Sequence, residues 1–249
     1  MTIFDAFERI YLINLPERSD RLRDAMTELA RAGIRPEDAR LRIFAGIRPA
    51  DAGVFPSRGA HGCHLSHLGI IREALRDQLH NVLIIEDDIA LNPACLLEQT
   101  ALVERLKQND WDFAYPGHVE NLPATPQAPA HWQHTRAPLV CAHFYGLNRQ
   151  VLPPLEAYLR DCMERPAGHP DGGPMHIDGA YSMFRQRSAG LITLIAAPSL
   201  AGQRSSRSDI YPNRWFDRLP VFQPLATLAR QWRHQCRQML QTLNEGKSK

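Results

Sequence analysis

Lysine is almost missing from this chain. Of 249 residues only Lys107, Lys247 and Lys249 are lysines, and arginine supplies the rest of the positive charge. Arginine is the better residue for two-pronged contacts to phosphate, although genome composition explains the bias as well. Five cysteines (Cys63, Cys95, Cys141, Cys162 and Cys236) make an odd number with no CxxC pair. That argues against a disulfide framework and for a reducing compartment. No stretch approaches the roughly 18 apolar residues of a membrane span. The first fifteen residues carry Asp5, Glu8 and Arg9 and lack a small-residue cleavage site, so they read as the start of the fold and not as a signal peptide. GxGxxG does not follow the first predicted strand and GxxxxGK[ST] does not occur, which removes the common dinucleotide and P-loop signatures. There is no internal repeat and no aromatic-and-basic motif of the RNA-binding kind, so nucleic acid is not an expected partner.

What is present fits one large α/β domain, or one domain with a small appendage. The hydrophobic fraction is 44%, the charged fraction 22% and the formal net charge +2. The charge is uneven: residues 201–249 hold nine Lys or Arg against three acids. A basic tail on a mildly acidic body suggests an anionic partner near the C-terminus, either phosphate or a membrane surface. Residues 225–243 read as a basic amphipathic helix with Arg230, Arg233 and Arg237 on its polar side. It either rests on an anionic membrane face, packs on the domain or mediates dimers. The expected division is therefore 1–222 for the main domain and 223–249 for the helix and tail.

Strands and helices alternate along the rest. Strands are predicted at 9–15, 41–45, 82–85, 111–115, 139–147 and 191–197. Helices are predicted at about 19–32, 62–77, 93–107, 150–164 and 176–187, with Gly33 closing the first. Residues 116–138 read as a long loop. The alternation implies a largely parallel sheet with a nucleotide-binding first half.

The most informative feature is Val82-Leu83-Ile84-Ile85-Glu86-Asp87-Asp88, an apolar run that ends in three carboxylates. Such runs suit strands covered on both faces, and α/β sheets bind ligands beyond the carboxyl ends of their strands. On an extended strand end, Glu86 and Asp88 face one way and Asp87 the other. Three acids in one place call for a cation, and Mg²⁺ or Mn²⁺ carrying phosphate oxygens fits, held by Glu86 and Asp88.

Three further segments carry chemistry. Asn14 to Arg21 (NLPERSDR) follows the first strand, where a base and ribose would lie, and places Arg18 and Arg21 near a helix start, suited to a base or a phosphate. His61 to His67 (HGCHLSH) spaces three histidines at i, i+3 and i+6. A structural zinc site wants four ligands, and no second cluster exists, so the favoured reading is a helix N-terminus with polar groups turned toward an anion. Gly172 to Tyr181 leads a glycine-rich turn into a helix with Asp178 in its first turns, a candidate general base. Arg204 and Arg207, in a stretch of arginines and hydroxyls, suit a diphosphate.

In order and spacing, INLPERSDR, GCHLSH and the strand ending in EDD resemble glycosyltransferase family 25, the lipopolysaccharide and lipooligosaccharide sugar transferases, from residue 10 to about 93 in register. The resemblance implies a GT-A-like fold, a nucleotide-sugar donor (UDP-galactose is typical), a glycan or lipopolysaccharide-type acceptor and inversion at the anomeric carbon. It implies that Asn14 and Arg18 lie by the nucleotide, Ser66 and His67 by the donor, and Glu86, Asp87 and Asp88 at the metal and diphosphate. A cytoplasmic enzyme, peripheral at the inner face of a membrane, is the matching location. Two other readings stay open: a non-catalytic nucleotide-sugar or glycan-binding module of the same fold, and a hydrolase using Asp88 and Asp178 as a carboxylate pair.

Overall fold

A computed structural model describes residues 1–93, 98–120 and 129–204. Strands β1 (Arg9–Asn14) and β3 (Asn81–Glu86) are interior strands of the sheet because their apolar runs leave no polar face. Side chains alternate across a strand, so Leu83 and Ile85 enter one core and Val82 and Ile84 the other. A strand buried on both faces needs cover on both. A 3-10 turn (Ile3–Ala6), α1 (Ser19–Arg31) and α3 (Thr100–Lys107) cover the first face, through residues such as Phe4, Leu29 and Leu102. The second face is covered by α2 (Arg58–Arg76), α4 (Leu152–Glu164) and α5 (Ile177–Arg187), through Leu68, Ile71, Leu155 and Tyr181.

The sheet is completed by β2 (Leu41–Ala45), β5 (Phe113–Gly117), β6 (His131–His134), β7 (Phe144–Asn148) and β8 (Thr193–Ala197). Its order is β2-β1-β3-β7-β5-β8-β6, and five strands run one way while β6 and β7 run against them. A short antiparallel pair, β4 (Ile89–Leu91) with β9 (Ala201–Gln203), stands beside it. This is the α/β, mostly parallel architecture expected. One rim gathers the ends of β1, β3 and β5 with the start of β7: Ile85 pairs with Phe144, and Phe144 with Gly117.

Several boundaries differ from expectation, each for a local reason. α2 starts at Arg58, four residues before the predicted position, because Ser57 Oγ accepts from Ala60 N at 3.0 Å and caps it. The HGCHLSH segment therefore lies inside the helix, and its reading as a helix N-terminus facing an anion does not hold. The predicted loop 116–138 contains β6, whose polar sequence is that of an edge strand paired to β8 alone. The strand predicted at 139–147 starts only at Phe144, because Cys141 takes a positive φ of 70°. The predicted 93–107 helix is described only as α3, since residues 94–97 lie outside the described part. So do the boundary at 222, the basic helix 225–243 and Arg207. Among the described residues no helix is long and apolar enough to cross a membrane.

Candidate active site

The extended alternation stops at Glu86. Asp87 and Asp88 form a turn between β3 and β4. Glu86 consequently meets α2, whereas Asp87 and Asp88 both meet α1, a different division from Glu86 with Asp88 against Asp87.

On the α1 side, Asn14 ends β1 and donates from Nδ2 to Asp87 Oδ2 at 2.7 Å and to the Arg18 carbonyl at 3.0 Å. Arg21, one turn into α1, places Nη1 3.1 Å from Asp87 Oδ1 and Nη2 2.7 Å from Asp88 Oδ2. Arg18 forks onto Asp20, with both its Nε and Nη2 3.1 Å away from the carboxylate. Arg204 grips the turn from the far side: its backbone N donates to the Asp88 carbonyl at 2.7 Å and its Nη2 to the Asp87 carbonyl at 3.0 Å. Its Nη1 lies 3.3 Å from Asp24 of α1. Asn14, Arg21, Asp87, Asp88 and Arg204 are thus brought together.

On the α2 side, Cys63 and His67 are four residues apart and share a helix face. Cys63 Sγ approaches Glu86 Oε1 at 3.9 Å and His67 Nε2 does so at 3.4 Å, while Gln203 Nε2 donates to Glu86 Oε2 at 3.3 Å. His67 Nδ1 is 2.6 Å from Tyr145 Oη, which is 2.8 Å from Tyr181 Oη. Asp178 stands in the first turn of α5, where its Oδ2 accepts from Cys141 N at 3.0 Å and its Oδ1 from Gly179 N at 2.8 Å. Its charge adds to the upward pressure on the Glu86 carboxyl, so the two acids belong to one electrostatic cluster.

Ser66 is elsewhere. Its Oγ accepts from Ile47 N at 2.8 Å and donates to the Gly62 carbonyl at 2.7 Å, which pins the segment after β2 onto α2. The three histidines also diverge, toward the Asp51 carbonyl (His61), the Leu159 carbonyl (His64) and Tyr145 (His67). They cannot share one ion.

Burial and crowding govern the charges here. Burial, then Asp87, pushes Glu86 up to about 7, with Arg21 opposing. Burial, then Glu86, pushes Asp88 up to about 6. Asp87 is also raised by burial, with Arg21 and Asn14 holding it back. Burial holds His67 down at about 3, so its approach to Glu86 is not an ion pair. A carboxylate cluster that resists ionising is short of positive charge. Asp88 Oδ1 is buried with no hydrogen-bond partner, a lone oxygen acceptor beside Glu86. An all-oxygen set of this kind fits a hard divalent ion such as Mn²⁺ or Mg²⁺.

Sequence reasoning missed Cys63, Tyr145, Tyr181 and Gln203. Cys63 had a signal, its four-residue spacing from His67. The others sit on distant segments, and only the fold brings them in.

Known proteins match this chain in part. The family model for Glycosyltransferase family 25 (LPS biosynthesis protein) matches residues 7–123. Procollagen galactosyltransferase 2 of Mus musculus is 28% identical over 130 residues, covering 45% of this chain and 21% of that protein. The Homo sapiens protein of the same name is 26% identical over the same length and coverage. The chain thus spans about a fifth of the length of these relatives. Among solved structures, a glycosyltransferase involved in the glycosylation of the major capsid of PBCV-1 aligns with TM-score 0.38 and 11% identity, covering 80% of this chain and 93% of that one. Asn14, Arg21, Cys63, His67 and the acid turn all fall inside the family match, whereas Asp178 and Arg204 fall outside it. The similarity to glycosyltransferase family 25 therefore lies on the segment that carries the acid turn.

Proposed function

We propose that the chain moves a hexose, galactose in the first instance, from a nucleoside-diphosphate sugar such as UDP-galactose to a hydroxyl of a glycan or glycolipid, with inversion. The carrying observation is the acid turn at Glu86–Asp88, set on the sheet rim between Asn14 and Arg21 and electrostatically joined to Asp178. The galactosyltransferases matched above support the choice of sugar.

The residues divide the work by chemistry. Asn14 and Arg18 orient the nucleotide. Arg21 and Arg204 supply fixed positive charge beside the turn, where the leaving diphosphate gains charge as the glycosidic bond breaks. Glu86 and Asp88 would hold a divalent ion, which would supply charge to neutralise that diphosphate. Asp178 takes the proton of the acceptor hydroxyl. Each of its oxygens accepts one backbone N–H, and a second lone pair remains on each for that proton. Holding donor and acceptor in line supplies much of the rate.

A transfer assay with UDP-galactose and a panel of glycan and glycolipid acceptors tests the reading, with Asp88→Ala and Asp178→Asn as variants. Loss of product in both supports it. Turnover unchanged in both removes the assignment. UDP binding and donor hydrolysis without acceptor product in the unmodified protein would instead favour a binding module.

A further inference from the structure

Once the acid turn is matched to Arg21, one corner of the rim is left over. Cys63 Sγ, His67 Nε2 and a Glu86 carboxylate oxygen all lie within 4.8 Å of one another. The His67 side chain is 1% exposed and its Nε2 has no hydrogen-bond partner. In the tautomer whose Nδ1–H donates to Tyr145 Oη, the Nε2 lone pair faces Glu86 Oε1 from 3.4 Å. Two such acceptors held face to face in a buried place repel each other unless a proton or a metal ion stands between them.

We propose that Cys63, His67 and Glu86 form a binding site for a thiophilic divalent ion, with Zn²⁺ as its natural occupant. The ligand types are those zinc takes: a thiolate, an imidazole nitrogen and a carboxylate oxygen. Around a tetrahedral ion at ordinary zinc bond lengths, such ligands stand roughly 3.3–3.7 Å apart. The His67–Glu86 separation of 3.4 Å already fits, and the Cys63–Glu86 separation of 3.9 Å needs a few tenths of an ångström. Cys63 and His67 project from successive turns of α2, so the helix fixes their relation before any ion arrives. Tyr145, itself bonded to Tyr181, orients His67 through its other nitrogen, as partners of ligating histidines do. Three protein ligands leave a fourth position for water or a substrate oxygen.

This site differs in kind from the all-oxygen set at Glu86 and Asp88. The thiol of Cys63 is held well above its usual range by burial and by Glu86, so it is protonated without an ion. When the metal–sulfur bond forms, that proton leaves to solvent and the thiolate supplies the electron pair. Glu86 belongs to both sets, so zinc would compete with the hard ion of the sugar-transfer reading. That consequence rests on the reading, whereas the binding site itself does not.

The test is a cobalt(II) titration of the full chain, free of chelator, followed by absorption spectroscopy. A thiolate-to-cobalt charge-transfer band that saturates at about one equivalent, and that Zn²⁺ displaces, is the expected result. Cys63→Ser, nearly isosteric, abolishes the band, while Cys141→Ser keeps it. Circular dichroism of both variants checks that they are folded. No band in the unmodified protein, or a band that survives Cys63→Ser, overturns the proposal, and the first of these needs no variant at all. Sugar transfer in Mn²⁺ without any thiolate–cobalt band would sink the site and leave the transferase reading intact. The band without any transfer would do the reverse.

Discussion

Arg21 lies 2.7 Å from Asp88 through one arm of its guanidinium while the other arm reaches Asp87 at 3.1 Å. All three side chains are mostly withdrawn from water, so Arg21 is part of what makes an acidic turn tolerable at the end of a buried strand. Arg21→Met removes the positive partner of two buried carboxylates. The expected cost at pH 8 is about 3–5 kcal/mol of stability. At pH 5 the cost shrinks, because the freed carboxyls take up protons. Urea unfolding at the two pH values, with EDTA present, reads the difference. Equal losses at both would show that Arg21 matters for packing and not for charge.

Glu86 carries a second prediction. Its carboxyl is raised from 4.5 to about 7, chiefly by burial. A group raised on folding contributes stability that is complete below its unfolded value and is lost as pH climbs to its folded value. The native protein should therefore lose ground between about pH 4.5 and 7 on account of this residue. Glu86→Gln does not titrate and escapes that loss. The variant should be indistinguishable at pH 4.5 and more stable at pH 8, by at most roughly 3 kcal/mol. Buried neutral His64 and His143, each held down at about 4, act in the opposite direction as pH falls from 6.5. They are common to both proteins, so the difference in melting temperature reads Glu86 together with the Asp88 carboxyl that it pushes up. A constant gap at every pH would contradict the burial argument.

Kinetics separate the two proposed roles of the carboxylates. Asp178→Asn keeps the size of the side chain and one of its two backbone N–H bonds but cannot take a proton, and should lower kcat about 10²–10⁴-fold with little change in the donor KM. Asp88→Asn should weaken the response to Mn²⁺, so that activity needs a higher concentration of the ion. Initial rates against donor and Mn²⁺ decide this. A rise in donor KM alone for Asp178→Asn would move that residue from the chemistry to substrate binding.

The Ser66 contacts give a prediction on stability alone. A Cβ added at Gly62 would lie 2.3 Å from the Ile47 carbonyl, because the segment after β2 rests directly on α2. Gly62→Ala should force that segment away and cost about 1–3 kcal/mol. Ser66→Ala removes the acceptor of Ile47 N and should cost about 1–2 kcal/mol. Contacts that share one latch do not add, so the double variant should lose less than the sum. Additive melting shifts would argue against a shared latch.

How far the sequence could be read depends on the range of each interaction. β3 was legible because four apolar residues in a row admit one environment. The acid triplet was legible because charges at a strand end stand out by contrast. α1 was bounded well at its end by Gly33, whose φ of 86° suits its lack of a Cβ. β6 was illegible: His131, Trp132, Gln133 and His134 follow neither strand period, and pairing with β8 alone makes them a strand. Arg21 was named for a phosphate and found instead on Asp87 and Asp88, 66 and 67 residues away. Ser66 and His67 stood side by side in one motif, and the helix turned one toward Ile47 and the other toward Glu86. Local pattern fixes elements and their faces, whereas contacts between distant segments appear only after the chain has closed.

Because β7 opposes both of its neighbours, the chain that departs at Gly117 comes back at Phe144 on the very same edge, directly across from it. Glu86 is tied to that returning strand, for its own backbone N–H is fastened to the His143 carbonyl at 2.8 Å just before β7 begins. The acids thus take their position from two strands at once, and whatever shifts β7 shifts the root of the acid turn with it.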